Sequence, residues 1–127
     1  MAGISDLSQL LARMGPVLHA DPHGIVVSDR VPDAAFATVA EEEGRTVIAT
    51  KAVLQAAGID PGPEWARISL TVQSDLAAVG LTAAFARALA EKGISANVIA
   101  GVHHDHIFLP WDQRHEAMAA LEGLSHV

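Results

Sequence analysis

The sequence predicts an α+β protein built from two small units. Apolar segments with a two-residue period alternate with apolar segments of helical period along the whole chain. At 127 residues the chain has the size of one ordinary domain or of two very small ones. The strongest cluster of breaker residues lies near its middle, at Asp60, Pro61, Gly62 and Pro63. We therefore expect one unit at residues 1–62 and a second at residues 63–127.

In the first unit, capping and breaker residues delimit alternating helices and strands. Ser5 or Asp6 can cap a first helix, which Gly15 ends. Short β-branched runs then predict strands, and Ala-rich content predicts a helix that closes at Gly44. The predicted elements after the first helix are a strand at residues 24–28, a helix at 34–43, a strand at 46–50 and a helix at 51–57.

In the second unit, periodicity predicts three strands and two helices. Ile68, Leu70 and Val72 alternate with polar residues, which is typical of a half-buried strand. Leu81 and Phe85 begin an apolar stripe at helical spacing. The predicted elements are a strand at residues 66–73, a helix at 79–92, strands at 95–102 and 106–109 joined by a hairpin, and a helix at 112–124 capped by Asp112. This split βαβ order places both helices on one face of an antiparallel sheet.

The second unit lacks the last strand of such a fold, because the final predicted helix ends close to residue 127. A sheet edge without a neighbour exposes a row of unpaired backbone groups. We therefore expect a segment of the first half, or of another subunit, to complete this sheet. The candidates are Val17 with Leu18, and the strand at residues 24–28.

Composition excludes several classes of function. The chain has 8 basic against 15 acidic residues, a net charge of −7, which argues against nucleic-acid binding. It contains no cysteine, so disulfide scaffolds and thiolate chemistry are excluded. No apolar run reaches the roughly 18 residues of a membrane span, and the first residues lack a basic signal-peptide region. We expect a cytoplasmic protein. No GxSxG turn or glycine-rich phosphate loop occurs, which indicates no enzyme and no cofactor.

One long run resembles a known family. The segment LTVQSDLAAVGLTAAFARALAEKGISANVIAGVHHDHIFLP is similar to the second half of small bacterial proteins with tandem ACT-type domains. More distantly it is similar to the regulatory domains of aspartate kinases and to the CASTOR arginine sensors. The resemblance is close over residues 67–110 and looser over residues 42–47. It implies tandem ferredoxin-like units of βαββαβ order without enzymatic activity, and a small effector, usually an amino acid.

The first candidate site joins the loop at residues 74–82 to the following strand. A helix start exposes unpaired N–H groups that suit a carboxylate, and Gly80 allows close approach. Asp75 and Asn97 carry acceptors for an ammonium group. The family resemblance also implies that the start of the second strand contributes to the pocket. The candidate ligand-binding residues are Ser74, Asp75, Val79, Gly80, Leu81, Thr82, Asn97, Val98 and Ile99. Alternatively, Ser74 or Asp75 only caps the backbone and Gly80 only permits tight packing.

The second candidate site is the polar turn from His103 to His106. Imidazole and carboxylate groups bind metals, and His104 and His106 project to one face of a strand. A stable site would need further ligands, which His115 or His126 would supply. The alternative for this run is a polar hairpin turn that binds no metal. A third possibility for the whole chain is an interaction module without a ligand. For the assembly we expect a homodimer, because the chain is small, half apolar and only 18% charged.

Overall fold

The computed structural model describes residues 3–125 and confirms the α+β class. Its elements, in order, are α1 (Leu7–Ala12), β1 (Pro16–Leu18), β2 (His23–Val27), β3 (Ala37–Glu41), β4 (Gly44–Thr50), α2 (Lys51–Ala56), β5 (Trp65–Leu70), α3 (Leu81–Glu91), β6 (Asn97–Ala100), β7 (Asp105–Pro110), a 3₁₀ turn (Trp111–Gln113) and α4 (Arg114–Leu124). Asp6 caps α1 as predicted, its side chain accepting from the Ser8 N–H. Within residues 3–125, no helix has the length and apolar character needed to cross a membrane.

The strands form one antiparallel sheet in the order β3-β4-β2-β5-β7-β6, and β1 also pairs with β5. β2 reaches β5 only where His23 faces Trp65. Beyond that point β1 takes over the same edge, with Val17 opposite Ser69 and Leu18 opposite Ile68. The prediction that Val17 and Leu18 complete the second unit is therefore confirmed. The unpaired groups of β5 find their partners about 50 residues earlier in the chain.

The predicted helix at residues 34–43 is wrong, because this segment contains the edge strand β3. β3 pairs with β4 through a tight hairpin in which Glu41 faces Gly44. Gly44 has φ +144°, a conformation that side-chain-bearing residues rarely adopt. The Thr46 hydroxyl also donates a 2.6 Å hydrogen bond to Glu41. Long-range pairing with β4 thus overrides the helix propensity of the alanines.

The predicted N-terminus of the last helix is also wrong. Asp112 lies inside the 3₁₀ turn, and α4 begins two residues later at Arg114 without a side-chain cap. The Arg114 guanidinium instead donates to the Trp111 carbonyl oxygen at 2.9 Å. The chain thus enters α4 through a tighter turn, which is common at helix ends.

The helices cover one face of the sheet and enclose the main core. This core combines apolar side chains from both ends of the chain. Its buried members are Leu10, Met14, Ala66, Ile68, Leu70, Val72, Leu81, Phe85, Leu89, Ile94, Ile107, Leu109, Ala117 and Leu121. A smaller cluster under α2 contains Val47, Ala49, Leu54 and Ile59. Because Leu10 and Met14 belong to the main core, the N-terminal segment packs in the same core as α3 and α4.

The N-cap of α2 gives a first testable prediction. The Thr50 side chain accepts a hydrogen bond from the Val53 N–H at 3.3 Å. Thr50→Ala is expected to lower the free energy of unfolding by about 1 kcal/mol, since the N–H loses its partner. Thr50→Ser keeps the hydroxyl and is expected to restore most of that loss. Urea unfolding followed by circular dichroism measures both, and equal stabilities of the two variants would contradict a capping role.

Candidate functional site

Antiparallel pairing aligns polar side chains on the sheet face opposite the helices. In β5, Ala66 and Ile68 point to the main core, so Arg67 and Ser69 point to the other face. Across the sheet Arg67 faces Phe108, and Ser69 faces His106. Cross-strand partners share a face and lie about 5 Å apart. The sequence alternation of β5, β6 and β7 therefore assembles a polar cluster beside an aromatic ring.

A hydrogen-bond chain links four side chains of this cluster, in the order His19, Ser69, His106 and Arg67. The Ser69 Oγ lies 2.7 Å from the His19 Nε2 and 2.7 Å from the His106 Nδ1. The Arg67 Nη2 lies 3.4 Å from the same His106 nitrogen. Because a guanidinium can only donate, the His106 Nδ1 must accept, and the proton of this imidazole is assigned to Nε2. Ser69 then donates to His106 and accepts from His19.

Burial keeps the imidazoles of His106 and His19, and that of the neighbouring His23, neutral. It lowers the pKa of His106 to about 4, and the neighbouring Arg67 charge acts in the same direction. Burial, again with a contribution from Arg67, lowers the pKa of His19 as well. The pKa of His23 is also lowered, mainly by burial. Arg67 is therefore the principal positive charge of the cluster at neutral pH.

Arg67 carries this charge without an acidic partner. Its guanidinium carbon lies 3.7 Å from the centre of the Phe36 ring, which is a cation–π contact. Its Nε is buried and has no hydrogen-bond partner. Among residues 3–125 the ion pairs are Lys51 with Glu64 and Arg87 with Glu91, and neither pair includes Arg67. Guanidinium groups pair well with carboxylate and phosphate oxygens, so this cation without an acidic partner is a candidate anion-binding group.

An apolar cavity of about 240 Å³ adjoins the cluster. Its lining residues are Ile25, Ile48, Trp65, Asn97, Val98, Ile99 and Phe108. The curl of the sheet brings side chains from β4, the second strand of the order, and from β6, the last strand at the other end, to the same cavity. Phe108 lies next to both the cavity and the cluster, since it lines the cavity and faces Arg67 across the sheet. Its ring centroid lies 5.6 Å from that of His23 and 5.8 Å from that of Phe36. Asn97 donates from Nδ2 to the Phe108 carbonyl oxygen at 3.4 Å.

The nine predicted ligand residues fall into two groups. Asn97, Val98 and Ile99 line this cavity. The other six precede α3 or form its first turn, and they are not part of the cavity lining: Ser74, Asp75, Val79, Gly80, Leu81 and Thr82. The structure thus brings the β6 residues, and not the loop, to the apolar cavity.

The N-terminal segment packs on the loop before α3. The Ile4 N–H donates to the Gln73 carbonyl oxygen at 2.8 Å, and the Asp75 N–H donates to the Ile4 carbonyl oxygen at 3.0 Å. The Asp75 carboxylate accepts from the Ala77 N–H at 2.8 Å, as a local cap does. Gly80 has φ +107°, and a Cβ placed on it would lie 3.1 Å from Leu7. Leu7 thus uses the close approach that Gly80 permits.

The side chains of residues 103–106, at the start of β7 and just before it, lie in different surroundings. His103 is exposed, Asp105 is buried with its pKa raised by that burial, and His106 joins the hydrogen-bond chain. The His104 Nδ1 is buried without a hydrogen-bond partner. Between residues 3 and 125, no group of three or more histidines and carboxylates is arranged to hold a metal ion. His126, one of the additional ligands considered, lies outside the described residues.

The sequence did not single out Arg67, Ser69 or His19. Each occupies the polar position of an alternating segment, which usually indicates a solvated side chain. The one available signal was that a strongly acidic chain places an arginine and a serine on the strand following its central breaker cluster. Arg67 and Ser69 contact His106 of β7, and Ser69 also contacts His19, which directly follows β1. Local spacing therefore gives no indication of the cluster.

Comparison with known proteins supports the tandem arrangement. ACT-domain models match residues 2–63 and residues 62–123. A protein of unknown function from Vibrio cholerae, described as a possible transport protein, is 40% identical. The alignment covers 94% of this chain and 95% of that one, with a TM-score of 0.81.

More distant structures share the fold. The aspartokinase α and β subunits are 14% identical, covering 91% of this chain and 100% of theirs, with a TM-score of 0.65. The ligand-free regulatory subunit of aspartate kinase from Thermus thermophilus is 15% identical, covering 89% and 98%, with a TM-score of 0.57. No curated protein matches the chain. The two family matches together span nearly all of the sequence, and the chain belongs to the ACT-domain family, with one ACT domain in each half.

Proposed function

We propose that this chain is a non-enzymatic regulatory protein that binds an amino acid in the cavity lined by Asn97, Val98 and Ile99. The observation that carries the proposal is an apolar cavity of about 240 Å³ with an unpaired cation beside its wall. Apolar pockets with a few convergent polar groups are typical of small-molecule sites. The resemblance to regulatory subunits of aspartate kinase supports the same class of role.

The polar cluster supports binding more than catalysis. A hydroxyl 2.7 Å from an imidazole nitrogen has the distance of an activated nucleophile. An effective base, however, needs a pKa near the working pH and a neighbour that stabilises the imidazolium. Here the pKa of His106 lies at about 4, and its nearest charged neighbour is the cation Arg67. Ser69 is thus poorly placed to lose its proton.

For the assembly we propose a homodimer formed through a sheet edge. β3 is an outer strand, and four of its five residues are exposed, including Val39 at 48%. β6 is the outer strand at the other end, next to Val102, which is 71% exposed. Exposed strand edges favour pairing with a second copy. Residues 1–62 and 63–127 remain our proposed units, with β1 crossing from the first to the second.

The binding site is tested by a thermal-shift screen with the twenty amino acids and a few divalent metals. A ligand that binds only the native protein raises its melting temperature. For the best ligand, Asn97→Ala is expected to weaken binding about 3- to 10-fold in isothermal titration, through the loss of one hydrogen bond. Asp75→Ala is the matched control on the loop and is expected to bind like the parent.

Other outcomes of this screen would contradict the proposal. If Asp75→Ala weakens binding and Asn97→Ala does not, the ligand lies against the loop at residues 74–82. If only metals raise the melting temperature, and replacing His104 and His106 by Ala abolishes the effect, the chain is a metal-binding protein. If nothing raises the melting temperature, amino-acid binding is wrong.

A further inference from the structure

We propose that the ligand is a monocarboxylate with an apolar body, whose carboxylate is bound by Arg67 and by the His106 Nε2–H. The inference rests on the proposed function, since it assigns a chemical class to the ligand of the same sheet face. The apolar body of the ligand would lie in the cavity beyond Phe108.

The charge of Arg67 is not balanced by an acidic side chain packed against it. The groups that contact its guanidinium are His106 and the Phe36 ring. The buried Asp105 alternates with Ile107 in β7, so it lies on the helix side of the sheet. Taking a cation partly out of water costs free energy unless an anion or an acceptor compensates. In a chain of net charge −7, this unpaired cation stands out.

The cluster offers hydrogen-bond donors in excess of acceptors. Ser69 and the His106 Nδ1 satisfy each other, so neither needs a ligand. The Arg67 Nε–H is buried away from solvent, so the donors left over for a ligand are the Arg67 Nη groups and, by the tautomer assigned above, the His106 Nε2–H. Unused donors around a planar guanidinium match the two oxygens of a carboxylate.

The cavity wall selects the rest of the ligand. Asn97 carries the one polar side-chain amide in a lining otherwise made of aliphatic and aromatic residues. A second charge placed there would lose its hydration without a partner. An aliphatic or aromatic body instead gains free energy in proportion to the apolar area that it removes from water. Because Arg67 is a single full positive charge and the neighbouring imidazoles are neutral, the cluster matches a singly charged carboxylate better than a doubly charged phosphate.

Register places the two recognition elements within reach of one small molecule. Arg67, Phe108 and Asn97 form one cross-strand row, and Ser69, His106 and Ile99 form the next. Neighbours in such a row lie about 5 Å apart. A ligand whose carboxylate meets Arg67 and His106 therefore extends along Ile99, beside the buried Phe108 ring, into the cavity. 4-Methylpentanoate has this character, and leucine and phenylalanine share its carboxylate and apolar body but add an ammonium group.

The first test uses the parent protein and varies the ligand. Isothermal titration compares leucine and 4-methylpentanoate with leucinamide, 3-methylbutylamine and inorganic phosphate. The two carboxylates are expected to bind, and loss of the carboxylate charge in leucinamide is expected to weaken binding about 10- to 100-fold. If leucinamide binds as tightly as leucine, the carboxylate inference is wrong. If phosphate binds more tightly than both carboxylates, the site is an inorganic-anion site and the assigned class is wrong.

The second test removes the cation. Arg67→Gln is expected to weaken binding of the carboxylates about 10- to 100-fold, and Arg67→Lys, which keeps the charge but loses the planar fork, by less. Arg87→Gln is the matched control, since it removes the same charge from an exposed pair on α3. If Arg67→Gln binds like the parent while Asn97→Ala binds more weakly, the anion inference fails and the proposed function stands. If no amino acid or analogue binds the parent, both fail.

Discussion

Replacing Leu10 by Ala is expected to lower the free energy of unfolding by about 2–5 kcal/mol, the range for large-to-small changes in a tight core. Leu10 lies on α1 and has no exposed surface. It packs in the same core as Phe85 of α3 and Leu121 of α4, which belong to the second unit. The lost methyl groups would leave a void between elements that are more than 70 residues apart in the sequence.

Urea unfolding, followed by tryptophan fluorescence and circular dichroism, measures this effect. Leu76→Ala is the control, because Leu76 is 66% exposed and its loss is expected to change stability by less than about 0.5 kcal/mol. The two probes should report one coincident transition for Leu10→Ala. A stability near that of the parent, or separate transitions for the two probes, would show that α1 does not belong to the common core.

The fold was predictable to the extent that its signals are local. Glycine and capping residues delimit α1, α2 and α3, and two-residue alternation marks β5. Even the pairing of β1 with β5 followed from a local argument, because a sheet with an unpaired edge requires a further strand. The segment that contains β3 was predicted as a helix because its alanines favour one, whereas the pairing with β4 through Glu41 and Gly44 is a tertiary effect.

Only those residues of the candidate site that stand together in one strand were predictable from the sequence. Asn97, Val98 and Ile99 stand together in β6, and the apolar surroundings of Asn97 drew attention to them. The polar cluster has no such signal, because Ser69 meets His19 across 50 residues and His106 across 37. Such contacts depend on register, and a shift of one residue would turn Arg67 and Ser69 toward the helices.

Acidification is expected to destabilise the protein through the same cluster. The pKa of His106 is lowered from 6.5 to about 4 in the folded state, with burial as the main cause. Between these values the unfolded chain binds a proton that the folded chain does not. The stability associated with the neutral ring is therefore complete above pH 6.5 and is lost as the pH falls toward about 4. His19 and His23 act in the same direction, because their pKa values are also lowered.

The full shift of the His106 pKa corresponds to about 3 kcal/mol of folding stability, and solvent screening at this partly exposed ring reduces the contribution to about 1–2 kcal/mol. Urea unfolding between about pH 7 and pH 4 measures this contribution. It is the difference between the parent and His106→Gln in how far the free energy of unfolding changes with pH. This comparison cancels Asp105, whose raised pKa acts with the opposite sign. His115→Gln, on the exposed surface of α4, controls for the loss of one imidazole. Parallel profiles for the parent and His106→Gln would show that Arg67 and the buried sheet face do not keep His106 neutral.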